Sequence, residues 1–249
     1  MDPVAAIVRF NAMTAARDKM CRLVQYISRF VWYYLQRHGY SADFVTRFKQ
    51  LEGAISTARK LFRIGKSVDV LQSAAATLHH PDLLVRCTLT FSKVNTALFL
   101  VFDHIVWGCR IGIFPKTDKA YWGHLSNRFW LVSLSALLLR DFYELKRLVQ
   151  ERMARQPNAS GDGRLNQRQQ NRGRAGSSIR AAPGAIAATC VRHPEVVLDT
   201  IKNMADFLLP LGNLDLISSS PGLLGLCGTV SSAIGTLVLC DDRYKIRPS

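Results

Sequence analysis

Pro221-Gly222-Leu223-Leu224-Gly225-Leu226-Cys227-Gly228-Thr229-Val230-Ser231-Ser232-Ala233-Ile234-Gly235-Thr236-Leu237-Val238-Leu239-Cys240 decides the fold. No charged residue occurs between Leu216 and Cys240. Taken as a helix, Gly222–Cys240 spans about 28 Å, close to the hydrocarbon thickness of a bilayer. Gly228 with Ser232, and Ser231 with Gly235, are small residues four apart. Together with Gly225 they let neighbouring transmembrane helices approach closely. A buried helix of a soluble protein could carry the same residues, but so much glycine is unfavourable in a helix surrounded by water. The stretch reads as a membrane span.

Upstream, Leu83 to Trp107 is also apolar, interrupted by Arg86, Lys93, Asp103 and His104. Its cleaner part, 94–107, would reach only about 21 Å as a helix. It is either a buried or partly embedded helix, or a span whose charges face other helices. Phe129–Leu139 is apolar all round but too short to cross alone, and Asp141–Arg155 is charged and amphipathic. Residues 4–38 read as helix, with Met20, Leu23, Val24, Ile27, Phe30, Val31 and Tyr34 on the apolar face. Gly39 is the stop and Ser41 the next N-cap. Near the C-terminus, Pro194 opens a helix expected to turn Val197, Ile201, Met204, Ala205 and Leu208 inward, and Pro210 is expected to end it.

Phe44 to Leu78 is the second informative stretch. Phe44, Phe48, Leu51, Ile55, Ala58 and Phe62 recur at alternating spacings of four and three, one stripe of a helix. The stripe continues through Gly65, Val68, Ala75 and Leu78. Lys49, Lys60 and Arg63 face away from it, and Arg59 and Lys66 lie nearer its edges. An apolar face beside basic side chains suits the surface of an anionic phospholipid membrane. A helix packed in a soluble bundle shows the same stripe. The residues expected to contact the membrane are Ile55, Ala58, Arg59, Lys60, Leu61, Phe62, Arg63, Lys66, Val68 and Leu71. Gly65 weakens the helix by about 1 kcal/mol relative to Ala and allows a break near 65–67.

Composition agrees. The chain has 249 residues, a net charge of +15 and 48% hydrophobic residues. That balance calls for an anionic partner. The basic residues are spread along the chain rather than gathered with aromatics, which favours a lipid surface over nucleic acid. Residues 156–184 lose their large apolar side chains and read as a disordered basic linker. It separates a helical region, 1–155, from the C-terminal helix and anchor, 185–249. The six cysteines contain no metal-type pair, which suits a reducing cytosolic face.

Enzyme signatures are lacking. Gly65-Lys66-Ser67 ends like a phosphate-binding loop, but Lys60 stands where the first glycine is required. Asp103 and His104 are adjacent, so they point about 100° apart on a helix and make no dyad. No cofactor and no metal are expected.

Ordered pieces of the chain are similar to a known family. They are Arg17-Asp18-Lys19 with Gln25-Tyr26, Arg59-Lys60-Leu61-Phe62-Arg63-Ile64-Gly65, Asn95-Thr96-Ala97-Leu98-Phe99, Asp103-His104-Ile105-Val106-Trp107 and Arg140-Asp141-Phe142-Tyr143-Glu144. They continue with His193-Pro194, Leu198-Asp199-Thr200-Ile201-Lys202-Asn203 and Pro221 to Ser232. The chain resembles the peroxin-11 family of peroxisomal membrane proteins, and looks nearer the vertebrate alpha/beta branch than gamma. The resemblance implies an all-α integral membrane protein of the peroxisome with both termini in the cytosol. It implies elongation of the membrane before fission, self-association into homo-oligomers, and recruitment of a dynamin-related GTPase with its tail-anchored adaptor. The family's inserting amphipathic helix maps onto Ser56–Leu78. A pore for small metabolites is the alternative reading, motivated by the polar residues at membrane depth.

Overall fold

The computed structural model describes residues 3–155, 188–244 and 246. The 156–184 linker expectation lies outside the described residues. Seven long helices organise the described residues: α1 (Pro3–Arg37), α2 (Ala42–Phe62), α3 (Lys66–Thr77), α4 (Leu83–Arg110), α5 (Lys119–Arg155), α6 (Pro194–Asn213) and α7 (Pro221–Cys240). The described residues contain no strand.

Local chemistry sets the boundaries. Gly39 turns the chain after α1 with φ 72°, a left-handed conformation open to glycine. Ser41 precedes α2 but makes no side-chain cap bond. Asp82 caps α4 by accepting from the Leu84 and Val85 amides at 2.9 and 3.2 Å. Ser220 caps α7 through the Leu223 amide, and Pro221 occupies the first turn. The apolar 129–139 run and the charged 141–155 run are parts of the single helix α5.

Apart from α2 and α3, which follow one another end to end, consecutive helices pack side by side, and α7 packs back on α1. The result is a closed ring. Two of its members, α4 and α7, are long and apolar enough to cross a bilayer. At 28 residues α4 is about 42 Å long, well beyond the 94–107 core expected from sequence.

The ring is inverted relative to a soluble bundle. Buried polar and charged residues outnumber buried apolar ones among the described residues. Large apolar side chains cover the outside of every helix. That distribution suits a lipid surround, where the interior must pair its polar groups and the perimeter meets acyl chains. Two expectations are corrected by it. On α6, Ile201 and Met204 point outward, while Thr200, Asn203, Asp206 and Leu209 are buried. Pro210 does not end α6, which continues to Asn213 with Pro210 itself buried in the bundle. Neighbouring helices hold such a helix together despite the missing amide donor.

Polar pairs join several seams of the ring. The Glu52 carboxylate of α2 accepts from Arg29 and Trp32 of α1, both at 2.6 Å. Ser92 of α4 and Ser133 of α5 share a hydrogen bond of 2.9 Å. Arg140 of α5 pairs with Asp199 of α6, and Asn203 donates to Asp141 at 2.7 Å. Arg22 of α1 pairs with Asp206 of α6. A small apolar cluster of Tyr26, Leu209 and Leu224, with Trp130 and Cys227 against it, fills the region where α1, α5, α6 and α7 meet.

Candidate functional site

The basic stretch is two helices, not one. α2 ends at Phe62, and Gly65 with φ 81° opens α3 at Lys66. A side chain at Gly65 would have to adopt a strained backbone, so the bend belongs to glycine.

The outer side of this bend is apolar. Leu61, Ile64, Val68 and Leu71 are all exposed. Ile55, Ala58 and Phe62 are half-buried against the bundle. The basic residues of the stretch lie on the inner side. Arg59 and Lys60 are buried, and Arg63 and Lys66 are partly so. Exposed cations occur earlier on α2, at Arg47 and Lys49.

The inward cations reach across the ring. Arg59 donates to Asp18 of α1 at 3.0 Å and to Gln25 at 2.7 Å. Lys60 pairs with Asp103 of α4, and Arg63 donates to the other oxygen of Asp103 at 2.8 Å. Asp103 thus closes a buried triad between α2 and α4 (not a dyad with His104). Burial alone would push the Asp18 carboxyl up, but Arg59, Arg63 and Lys66 hold it below the usual range. Burial lowers Lys60 to about 8 against the pull of Asp103. Lys19 is also lowered to about 8, by burial first and then by Lys202, Arg22 and Lys66.

These side chains border a cavity of about 830 Å³ inside the ring. Its described lining carries nine Lys and Arg side chains against three Asp. The triad with Asp103 was not legible from spacing, since its partners are 40 and 43 residues apart. The one signal was an acid inside an apolar run, which demands a partner.

The small residues of α7 face α1. Gly225, Gly228, Ser231, Ser232 and Gly235 are all buried. A Cβ on Gly225 would lie 2.7 Å from the Phe30 backbone nitrogen and 3.0 Å from its Cα. Added Cβ atoms on Gly222 and Gly228 would strike the Tyr33 and Tyr26 rings, and one on Gly235 would meet Lys19 Nζ at 2.9 Å. The two helices run antiparallel at close range, and glycine makes that distance accessible. Hydroxyls on α7 are satisfied within the helix: Thr229 donates to the Gly225 carbonyl at 2.8 Å and Thr236 to that of Ser232 at 2.9 Å.

Comparison with known proteins matches the chain to a family. The family model described as Peroxisomal biogenesis factor 11 (PEX11) matches residues 4–240. Peroxisomal membrane protein 11B of Bos taurus is 34% identical, over 98% of this chain and 99% of its own length. Peroxisomal membrane protein 11A of Homo sapiens is 30% identical, over 97% and 98%. Peroxisomal membrane protein PMP30A of Candida boidinii is 24% identical, over 93% and 92%. No solved structure matches the chain. With the match running through the ion-paired bend and the glycine-packed helix alike, the chain belongs to the PEX11 family of peroxisomal membrane biogenesis factors.

Proposed function

We propose that this protein bends and elongates the peroxisomal membrane ahead of division, with α2–α3 acting as a wedge in one leaflet. The observation that carries the reading is the outward apolar crescent of Leu61, Ile64, Val68 and Leu71 across a broken helix. At twelve residues α3 is about 18 Å long, too short for a hydrocarbon core of about 30 Å. An apolar face on an element that cannot cross settles at one interface. It adds area to that leaflet alone and favours curvature. Each inserted side chain contributes up to about 1.5–3 kcal/mol. Arg47 and Lys49 supply headgroup attraction of about 1 kcal/mol each at an anionic surface. Arg59, Lys60 and Arg63 brace the bend from within.

In this reading residues 1–155 form the remodelling region, 156–184 a basic tether, and 185–249 the anchoring segment. Both termini face the cytosol, and α7, with α4, fixes the ring in the bilayer. Family membership supports the remaining parts: copies of the chain associate into homo-oligomers, and they recruit a dynamin-related GTPase and its tail-anchored adaptor. Full-length protein reconstituted into vesicles containing anionic phospholipid should draw them into tubules. Leu61→Glu combined with Leu71→Glu should abolish tubules while helical content stays. Tubulation unchanged in that double variant would overturn the wedge.

A second reading, conduction of small metabolites, is favoured by one observation: the ring closes around a polar cavity. Single-channel recording from the reconstituted protein tests it, and electrically silent bilayers would exclude it.

A further inference from the structure

We propose that the cavity bordered by α1, α2, the start of α3, α4 and α5 is a binding site for a phosphate-bearing anion, held chiefly by Lys19, Arg59, Arg63 and Lys66. The assignment is independent of both the wedge and conduction, since a closed cavity would bind such a ligand as well.

The charge inventory motivates it. At the α1–α2–α3 corner, five cations share two carboxylates: Asp18 pairs with Arg59, and Asp103 pairs with both Lys60 and Arg63. Lys19 and Lys66 make no ion pair with a described carboxylate, yet both line the cavity. Of the remaining lining arginines, Arg22 and Arg29 are answered by Asp206 and Glu52. Arg110 and Lys119 are exposed to solvent at the cavity's margin, so the unanswered charge withdrawn from water gathers at Lys19 and Lys66.

Such an arrangement is unfavourable unless something answers it. Charges removed from bulk water are stable only when paired or solvated, and like charges crowded together repel. Pairing could have been completed within the protein by two further acids. Instead the interior leaves about 830 Å³ of space beside the unpaired amines. That volume falls within the range of small-molecule sites, about 300–1,000 Å³. The donors differ in kind, as phosphate recognition requires: planar guanidinium groups for paired oxygens and flexible ammonium groups as point charges. Ser56 and Asn127 line the same space and each keeps a donor that can take a neutral oxygen of the ligand. A carboxylate ligand would use fewer of these donors than a phosphate or diphosphate.

The phosphate could come from a soluble compound or from a phosphomonoester lipid headgroup, and the test separates them. Full-length protein is placed in phosphatidylcholine nanodiscs, with or without phosphatidic acid, and titrated calorimetrically with inorganic pyrophosphate. Saturable binding is expected in the phosphatidylcholine discs. Suppression of that binding by phosphatidic acid identifies the headgroup as the source; unchanged binding identifies a soluble one. Lys19→Gln with Lys66→Gln removes the two unpaired amines without breaking an ion pair. It should weaken binding by roughly tenfold or more, the scale of one or two charge-assisted hydrogen bonds. Lys116→Gln with Lys146→Gln changes net charge equally on the exposed surface and should leave binding intact. Absence of pyrophosphate binding, or equal losses in the two double variants, would overturn the site.

Discussion

Two sides of α1 solve the same problem in opposite ways. Toward α7, side chains are deleted: Gly222, Gly225, Gly228 and Gly235 let the helices touch. Toward α2 and α4, long cations and their acids span the gap and leave space between helices. The first contact relies on close packing alone, which lipid does not disfavour between helices. The second relies on charge pairing, which withdrawal from bulk water strengthens. A wall that must be tight is built from small residues; a wall that must enclose space is built from ion pairs.

The largest effect expected from breaking this contrast lies on the ion-paired side. Asp103→Ala leaves Lys60 and Arg63 without their carboxylate and should cost about 3–5 kcal/mol, since one partner of a buried pair is lost. Thermal unfolding in detergent reads it. The glycine side comes next. Gly225→Val pushes into the Phe30 backbone, which cannot move as a side-chain tip can, and should cost about 1–3 kcal/mol. Cysteine cross-linking between α1 and α7 should fall with it, whereas the same change at Gly53, which has open space around it, should leave cross-linking alone.

A smaller effect sits at the α4 N-terminus, outside either wall. Asp82→Ala removes the cap and the acceptor of the Tyr143 hydroxyl at 2.9 Å and should lower the thermal midpoint by less than either change above. The Val85 amide, with that hydroxyl, holds the Asp82 carboxyl below its usual value. Its stabilising contribution is therefore present above the unfolded value of 3.8 and is lost as pH falls below it. In Asp82→Ala that loss on acidification should be smaller by this contribution.

The smallest effect is alkaline. Lys19 and Lys60 are lowered to about 8 from 10.5, so between those values the folded chain binds fewer protons than the unfolded one. Stability should rise with pH across that window. Lys19 faces Asp18 and Arg22 on its own helix, Lys66 of α3 and Lys202 of α6. Lys19→Gln should flatten the rise, as read by the thermal midpoint at pH 8 and pH 10.

Much of the fold was legible where chemistry is local. Gly39 and Pro194 marked real boundaries, and the uncharged run up to Cys240 marked a helix of membrane length. What failed was the rule that apolar faces turn inward. Ile201 and Met204 looked like core because that rule belongs to water; in lipid the outside is the apolar side. The same inversion explains why Arg59 and Lys60, expected at the headgroups, lie inside the ring. Their partners Asp18 and Asp103 are 41 and 43 residues away, beyond any helical spacing rule.

The seam between α1 and α7 also has a meaning in time. Tyr26 and Gly228 touch at opposite ends of the described chain. At about 5–20 residues per second, roughly 10–40 s separates the synthesis of one from the synthesis of the other. Throughout that interval α1 presents an aromatic groove with nothing in it. The earlier seams can pack as the chain emerges, but the ring closes only when α7 arrives. Until then the Tyr26–Tyr33 face lacks the helix it packs against.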